Sequence, residues 1–299
     1  MALLIITTIL WAFSFSLIGE YLAGSVDSYF SVLMRVGLAA LVFLPFLRTR
    51  GQSPRTIVLY MLVGAMQLGI MYLLAFRAYL YLTVSEFLLF TVFTPLYITL
   101  IYDLLSGRKL RWGYLLSAAL AVRGAAIIRY DKVSDHFWTG LLLVQLSNLC
   151  FAIGMVGYKR LMEVRPMPQH NAFAWFYVGA FIVAVAAWFM LGNPQKLPTT
   201  TLQWSVLVWL GVVASGLGYF MWNYGATQVD AGTLGIMNNV HVPAGLLVNL
   251  AIWQEQPHWP SFISGALVIL ASLWVHRRWV APHSGQTAGD RRRGSAQSE

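Results

Sequence analysis

Residues 218–253 read GYFMWNYGATQVDAGTLGIMNNVHVPAGLLVNLAIW, and the fold turns on how this stretch is understood. Two apolar runs flank a short polar turn, Gln228 to Gly232. The second run carries Asn238, Asn239, His241, Pro243 and Asn249 in a context too apolar for a water-facing surface. In hydrocarbon, amides and imidazoles are costly unless they face a cavity or a neighbouring helix. Pro243 has no N–H, so the carbonyl of Asn239, one turn earlier, loses its helical partner and is open to another donor. At about 100° per residue, Asn238, His241, Gly245 and Asn249 share one narrow stripe.

The composition agrees with a lipid-embedded chain. Of 299 residues 58% are hydrophobic and 10% charged, and the mean hydropathy is +0.65. These values point to an all-α polytopic membrane protein. A single cysteine, Cys150, excludes a disulfide framework within the chain, and no His/Cys cluster suggests a metal or other cofactor. The net charge of +9 does not require nucleic acid, because the basic residues lie between apolar segments, where they set topology. Met1–Ile5 lacks a basic leader, so the first segment is expected to remain as a helix.

Windows of about 20 apolar residues predict ten spans: 2–21, 29–47, 56–76, 83–103, 112–129, 137–158, 171–191, 203–224, 231–252 and 261–277. The polar, basic tail 281–299 is expected to be disordered and cytoplasmic. With the N-terminus inside, fourteen of the twenty Lys and Arg residues fall on the cytoplasmic side, four outside and two within spans. Both termini are therefore expected in the cytoplasm.

A shift of 148 residues lays Gly69–Tyr97 over Leu217–Gly245, matching Ala78 with Ala226, Val92 with Val240 and Pro95 with Pro243. Five spans per half is an odd number, so the two halves, 1–130 and 131–280, should be inverted relative to each other. Inverted repeats with proline-bearing helices are a recurrent plan of secondary transporters, with the substrate site near the midplane.

The corresponding stripes differ in chemistry. Glu86, Phe90, Phe93 and Tyr97 in the fourth segment match Leu234, Asn238, His241 and Gly245 in the ninth. Facing each other, they would make an amphipathic pocket for a small solute with an apolar body and a hydrogen-bonding head. Helix packing accounts equally well for the phenylalanines, and interhelical hydrogen bonding is the ordinary role of membrane-buried amides. Arg35, inside the second segment, needs an anion or water. It either docks a substrate carboxylate or pairs with Glu86, Glu20 or Asp27. Glu86 is the candidate coupling acid, with a structural partnership to Arg35 or Arg77 as the simpler role. Trp11 with Thr7 and Ser14, and Asn148 with Gln145, form further polar stripes. No HExxH, paired mid-membrane carboxylates or Ser/His/Asp set supports catalysis.

The duplicated plan, Trp222-Asn223-Tyr224-Gly225-Ala226 and the hairpin leading to Pro243 resemble the EamA-type carriers of the drug/metabolite transporter superfamily across residues 2–278. LWAFSFSLIGEYLAG (10–24), LVFLPFLRTRG (41–51), MPQHNAFAWFYVGAF (167–181) and TLGIMNNVHVPAGLLVNLAIW (233–253) resemble the carboxylate/amino acid/amine branch, its biotin carriers in particular. That resemblance, not spacing, implies inner-membrane uptake of biotin by alternating access. It suggests Arg35 for the carboxylate, the aromatics for the alkyl chain, and Asn238, His241 or Asn148 for the ureido group. Family repeats often carry Gly-Glu-Arg after the proline-bearing helix, where this chain has Gly107-Arg108-Lys109 and Gln254-Glu255-Gln256. The alternative is an exporter of amino acids or amphipathic metabolites.

Overall fold

The computed structural model describes residues 2–105, 120, 123, 135–229, 231–254 and positions 260, 263, 264, 267, 268, 270, 271 and 274. At 135, 136, 231–233, 235, 236, 239 and 241 only the backbone is described. The described chain is helical: α1 (Ala2–Tyr21), α2 (Ser28–Phe43), α3 (Pro54–Ala78), α4 (Val84–Leu105), α5 (Asp135–Val164), α6 (Gln169–Leu191), α7 (Thr201–Thr227) and α8 (Ala231–Val248). A π turn, Asn249–Trp253, continues α8. Among the described residues, seven helices are long and apolar enough to cross a membrane. The predicted span 112–129, most of 261–277 and the tail lie outside the described residues.

Local sequence explains where the helices begin. Asp27 caps α2 by accepting from Phe30 N at 2.9 Å. Ser53 precedes Pro54, which fills the first position of α3, where its missing N–H costs nothing. Thr83 with Glu86 and Thr200 with Gln203 form reciprocal capping boxes on α4 and α7.

The helices are wound unevenly. A π turn occupies Ala65–Ile70 in α3 and another Leu210–Leu217 in α7. A 3₁₀ turn at Thr91–Phe93 interrupts α4 just before Pro95. Pro95 cannot donate to the Thr91 carbonyl, and Thr94 Oγ1 does so instead at 2.6 Å.

The eight helices close a ring through their principal contacts, in the order α6, α2, α7, α1, α8, α4, α5, α3 and back to α6. Polarity is reversed relative to a water-soluble protein. Phe189, Met190, Leu247 and Leu41 are exposed outside the ring, whereas Gln67, Asn223 and Arg35 are buried within it. That distribution, with the apolar spans, makes this a multi-pass membrane protein.

Candidate functional site

A cavity lies inside the ring, with an empty volume of about 650 Å³, its open mouth included. Every helix of the ring except α6 contributes to its wall. The wall runs from mid-helix, at Trp11, Ser147 and Asn238, to the helix ends beside the 22–27 and 79–83 turns, at Ile18, Tyr79 and Phe87. Most of the surface is aromatic or aliphatic, with a few polar groups.

Arg35 is the charged one. Its residue is 3% exposed. Nε donates to Ser215 Oγ at 2.5 Å, and the guanidinium lies over the Tyr72 ring at 4.2 Å. No carboxylate among the described residues pairs with it. Asp27 caps α2 and accepts from Asn193 N at 3.2 Å. Glu86 accepts from Thr83 N at 2.9 Å in the α4 capping box. Glu20 makes no contact with Arg35. The three acids offered by the sequence as partners are thus placed elsewhere. The terminal nitrogens of Arg35 make no hydrogen bond with described residues, while the stacked ring and Ser215 fix the plane of the fork. A guanidinium held so is preorganised for a carboxylate.

The π turn of α7 explains how Arg35 is held. Winding i→i+5 displaces backbone carbonyls from the normal ladder. The neighbours take them: Trp11 Nε1 donates to Ala214 O at 3.0 Å, and Tyr177 Oη to Ser215 O and Gly216 O at 2.6 and 3.0 Å. The same turn presents the Ser215 hydroxyl to both Arg35 and Tyr72 Oη, the latter at 2.8 Å. Trp11 lines the cavity with its ring in contact with Tyr219, at 4.6 Å between centroids, while its N–H is engaged by α7.

Across the cavity stand the amides. Asn238 is 1% exposed, and its Nδ2 has no hydrogen-bond partner. Asn148 Nδ2 donates to Phe90 O at 2.9 Å, a carbonyl next to the break in α4 that also receives Gln145 Nε2 at 3.3 Å. Asn148 thus lines the wall and braces α4 at once.

Of the residues singled out from sequence, Trp11, Arg35, Asn148 and Asn238 meet in this cavity. Phe93 is buried in the helix packing, and Tyr97 turns to Gln145 Oε1 at 3.1 Å; neither lines the wall. The His241 side chain lies outside the described residues. On its stripe, Gly245 packs against Leu88, and Asn249 bridges Ser16 and Ser85 at 3.1 and 3.3 Å. Tyr72, Tyr79, Thr91 and Ser215 were not singled out as site residues. A Ser-Gly pair at 215–216 among large apolar residues was the one local signal for the π turn.

Toward the opposite end the ring is closed. Gln67 and Asn223 exchange two amide hydrogen bonds, at 2.9 and 3.0 Å. Beyond them Tyr60, Tyr158, Phe173 and Phe176 form a continuous aromatic layer. Gly64 and Gly179 let α3 and α6 touch backbone to backbone, since a Cβ on either would collide with the main chain at Phe176 or Met61.

Comparison with known proteins gives three findings. The family described as EamA-like transporter family matches twice, over residues 1–130 and 138–277. The chain is 83% identical over 299 residues to the Biotin transporter of Escherichia coli (strain K12), covering 100% of both, and 55% identical over 279 residues to the Probable biotin transporter of Pseudomonas aeruginosa, covering 93% of this chain and 97% of the relative. A crystal structure 17% identical in sequence superposes with a TM-score of 0.64, covering 92% of this chain and 95% of the other, and shares the fold.

Proposed function

This chain belongs to the EamA-like transporter family, and from that premise we propose that it takes up biotin across the inner membrane by alternating access. One observation carries the reading: Arg35 is buried in the wall of an aromatic cavity, with no acid among the described residues paired to it and an unpartnered amide, Asn238, across the space. Biotin has the matching parts. Its carboxylate suits the guanidinium fork, its alkyl chain the aromatic wall, and its ureido group the amides of Asn238 and Asn148.

Alternating access rests on two halves of opposite orientation, 1–130 and 131–280, with ten spanning helices between them. The paired family matches support that division. So do the π turns in α3 and α7, whose positions agree with the 148-residue shift to within a few residues. The ring supports the inversion. Exchanging α1 with α5, α2 with α6, α3 with α7 and α4 with α8 returns the same cyclic order of neighbours in the opposite sense. An axis lying in the membrane plane turns a ring over and reverses its sense; an axis along the normal preserves it. Lys159, Arg160 and Arg165 at one end of α5 support a cytoplasmic location for that end, and with it for both termini.

The experiment is saturable uptake of labelled biotin into proteoliposomes, with growth of a biotin-requiring strain on trace biotin to separate uptake from export. Arg35→Ala is expected to abolish uptake at unchanged membrane abundance. Unaltered uptake by that variant would remove the carboxylate role.

A further inference from the structure

Three buried side-chain atoms among the described residues have no hydrogen-bond partner: Ser31 Oγ, Tyr79 Oη and Asn238 Nδ2. Native interiors rarely leave such groups unpaired, and each calls for an explanation. Two of the three, Tyr79 and Asn238, line the cavity. Asn238 already has a place in the biotin reading. Tyr79 does not.

The other cavity tyrosines have no buried, unpartnered hydroxyl. Tyr72 Oη lies 2.8 Å from Ser215 Oγ, and Tyr219 is not among the unpartnered side chains. Tyr79 differs. Its ring is fixed by stacking on Phe87 at 4.3 Å between centroids, with 17° between the planes. The hydroxyl is therefore held in place without a protein acceptor. Tyr79 lines the same cavity as Arg35. The guanidinium lies over the rings of Tyr72 and Phe76, at 4.2 and 5.9 Å. Tyr79 follows Phe76 by three residues and so continues that face of the helix one turn further on.

A phenol whose O–H has no acceptor, in the wall of the same cavity as a guanidinium whose terminal nitrogens are idle, makes a two-point receptor for an anion. We propose that Tyr79 is the second binding residue for the substrate carboxylate, its O–H completing the site begun by Arg35. This rests on the biotin reading above and extends it. The carboxylate then lies at the α2–α3 wall and the ureido ring toward Asn238, which fixes the direction in which the substrate sits.

The test uses the full-length protein in detergent, with thermal unfolding followed at increasing biotin and at increasing biotin methyl ester, which has no carboxylate. Tyr79→Phe removes only the hydroxyl. Without ligand it should melt at or above the wild-type temperature, because an unsatisfied buried group has been deleted. Its half-saturating biotin concentration should rise about 10-fold or more, as expected for loss of a hydrogen bond to a charged group. The value for the ester should stay near that of wild type. Equal weakening for both ligands, or wild-type affinity for biotin, overturns the inference alone. Failure of Tyr79→Phe to reach the membrane also overturns it, since the hydroxyl would then be holding the fold. No response of the wild type to biotin overturns this inference and the biotin reading together.

Discussion

Gln67 and Asn223 hold each other through both halves of their amides, at 2.9 and 3.0 Å, with neither side chain exposed. They join the π turn of α3 to α7 just beyond the cavity floor. Removing one partner leaves the other buried and unpaired, at a cost of about 1–3 kcal/mol. Gln67→Ala and Asn223→Ala are each expected to lower the melting temperature of the purified protein. The double replacement by leucine should lower it less than the two single changes combined.

Ser215 positions Arg35. Ser215→Ala removes the acceptor for Arg35 Nε and the partner of Tyr72 Oη. The charge stays but the fork loses its fixed plane. A several-fold rise in the biotin concentration for half-maximal uptake is expected, with maximal rate and membrane abundance close to wild type. Arg35→Lys should be as inactive as Arg35→Ala, because an ammonium offers a point charge where a planar fork is needed.

Asn238 makes no hydrogen bond through Nδ2, so truncating it costs the fold little. Asn238→Ala should melt near the wild-type temperature and bind biotin about 10-fold more weakly, the loss expected for about 1.4 kcal/mol. A large fall in stability with unchanged uptake would make Asn238 a packing residue.

Gly64→Ala tests the backbone contact between α3 and α6. The added methyl meets the main chain of Phe176, which cannot rotate away as a side chain can. Overpacking of this kind costs about 1–3 kcal/mol, so lower membrane abundance and a lower melting temperature are expected. Gly179→Ala, meeting the main chain of Met61, should behave alike.

Glu86 is engaged by the α4 capping box. Glu86→Gln keeps an acceptor for Thr83 N and should retain biotin uptake. An imposed pH gradient that drives uptake by the wild type but not by this variant would assign Glu86 as the coupling acid. Glu86→Ala should lower stability by about 1 kcal/mol through the lost cap.

Much of this arrangement was legible in sequence. The predicted span 83–103 became Val84–Leu105, and 171–191 became Gln169–Leu191. Apolar length and capping residues specify such boundaries, and four residues chosen for mid-span polarity meet in one cavity. Part of the mismatch comes from helix winding. Helical wheels assume uniform winding, and α3, α4 and α7 are not uniform. The 3₁₀ turn at Thr91–Phe93 advances the chain about 120° per residue instead of 100°, so it rotates Tyr97 by roughly 60° toward Gln145. The inserted residue of the α7 π turn brings Ser215 to Arg35, which a regular wheel does not anticipate. Gly245 and Asn249 leave the cavity wall for another reason. Asn238 lines the chamber, but further along the helix α1 and α4 close in on Gly245 and Asn249.

The contact of Gly64 and Gly179 with facing main chain has a mechanical consequence. Two rods that interlock at their spines resist slipping past each other, because at Gly64 and Gly179 no side chain lies between them to change rotamer. Any rearrangement that empties the chamber through its sealed end must therefore swing α3 and α6 together as a single strut, with the loosely wound turn at 65–70 as its joint.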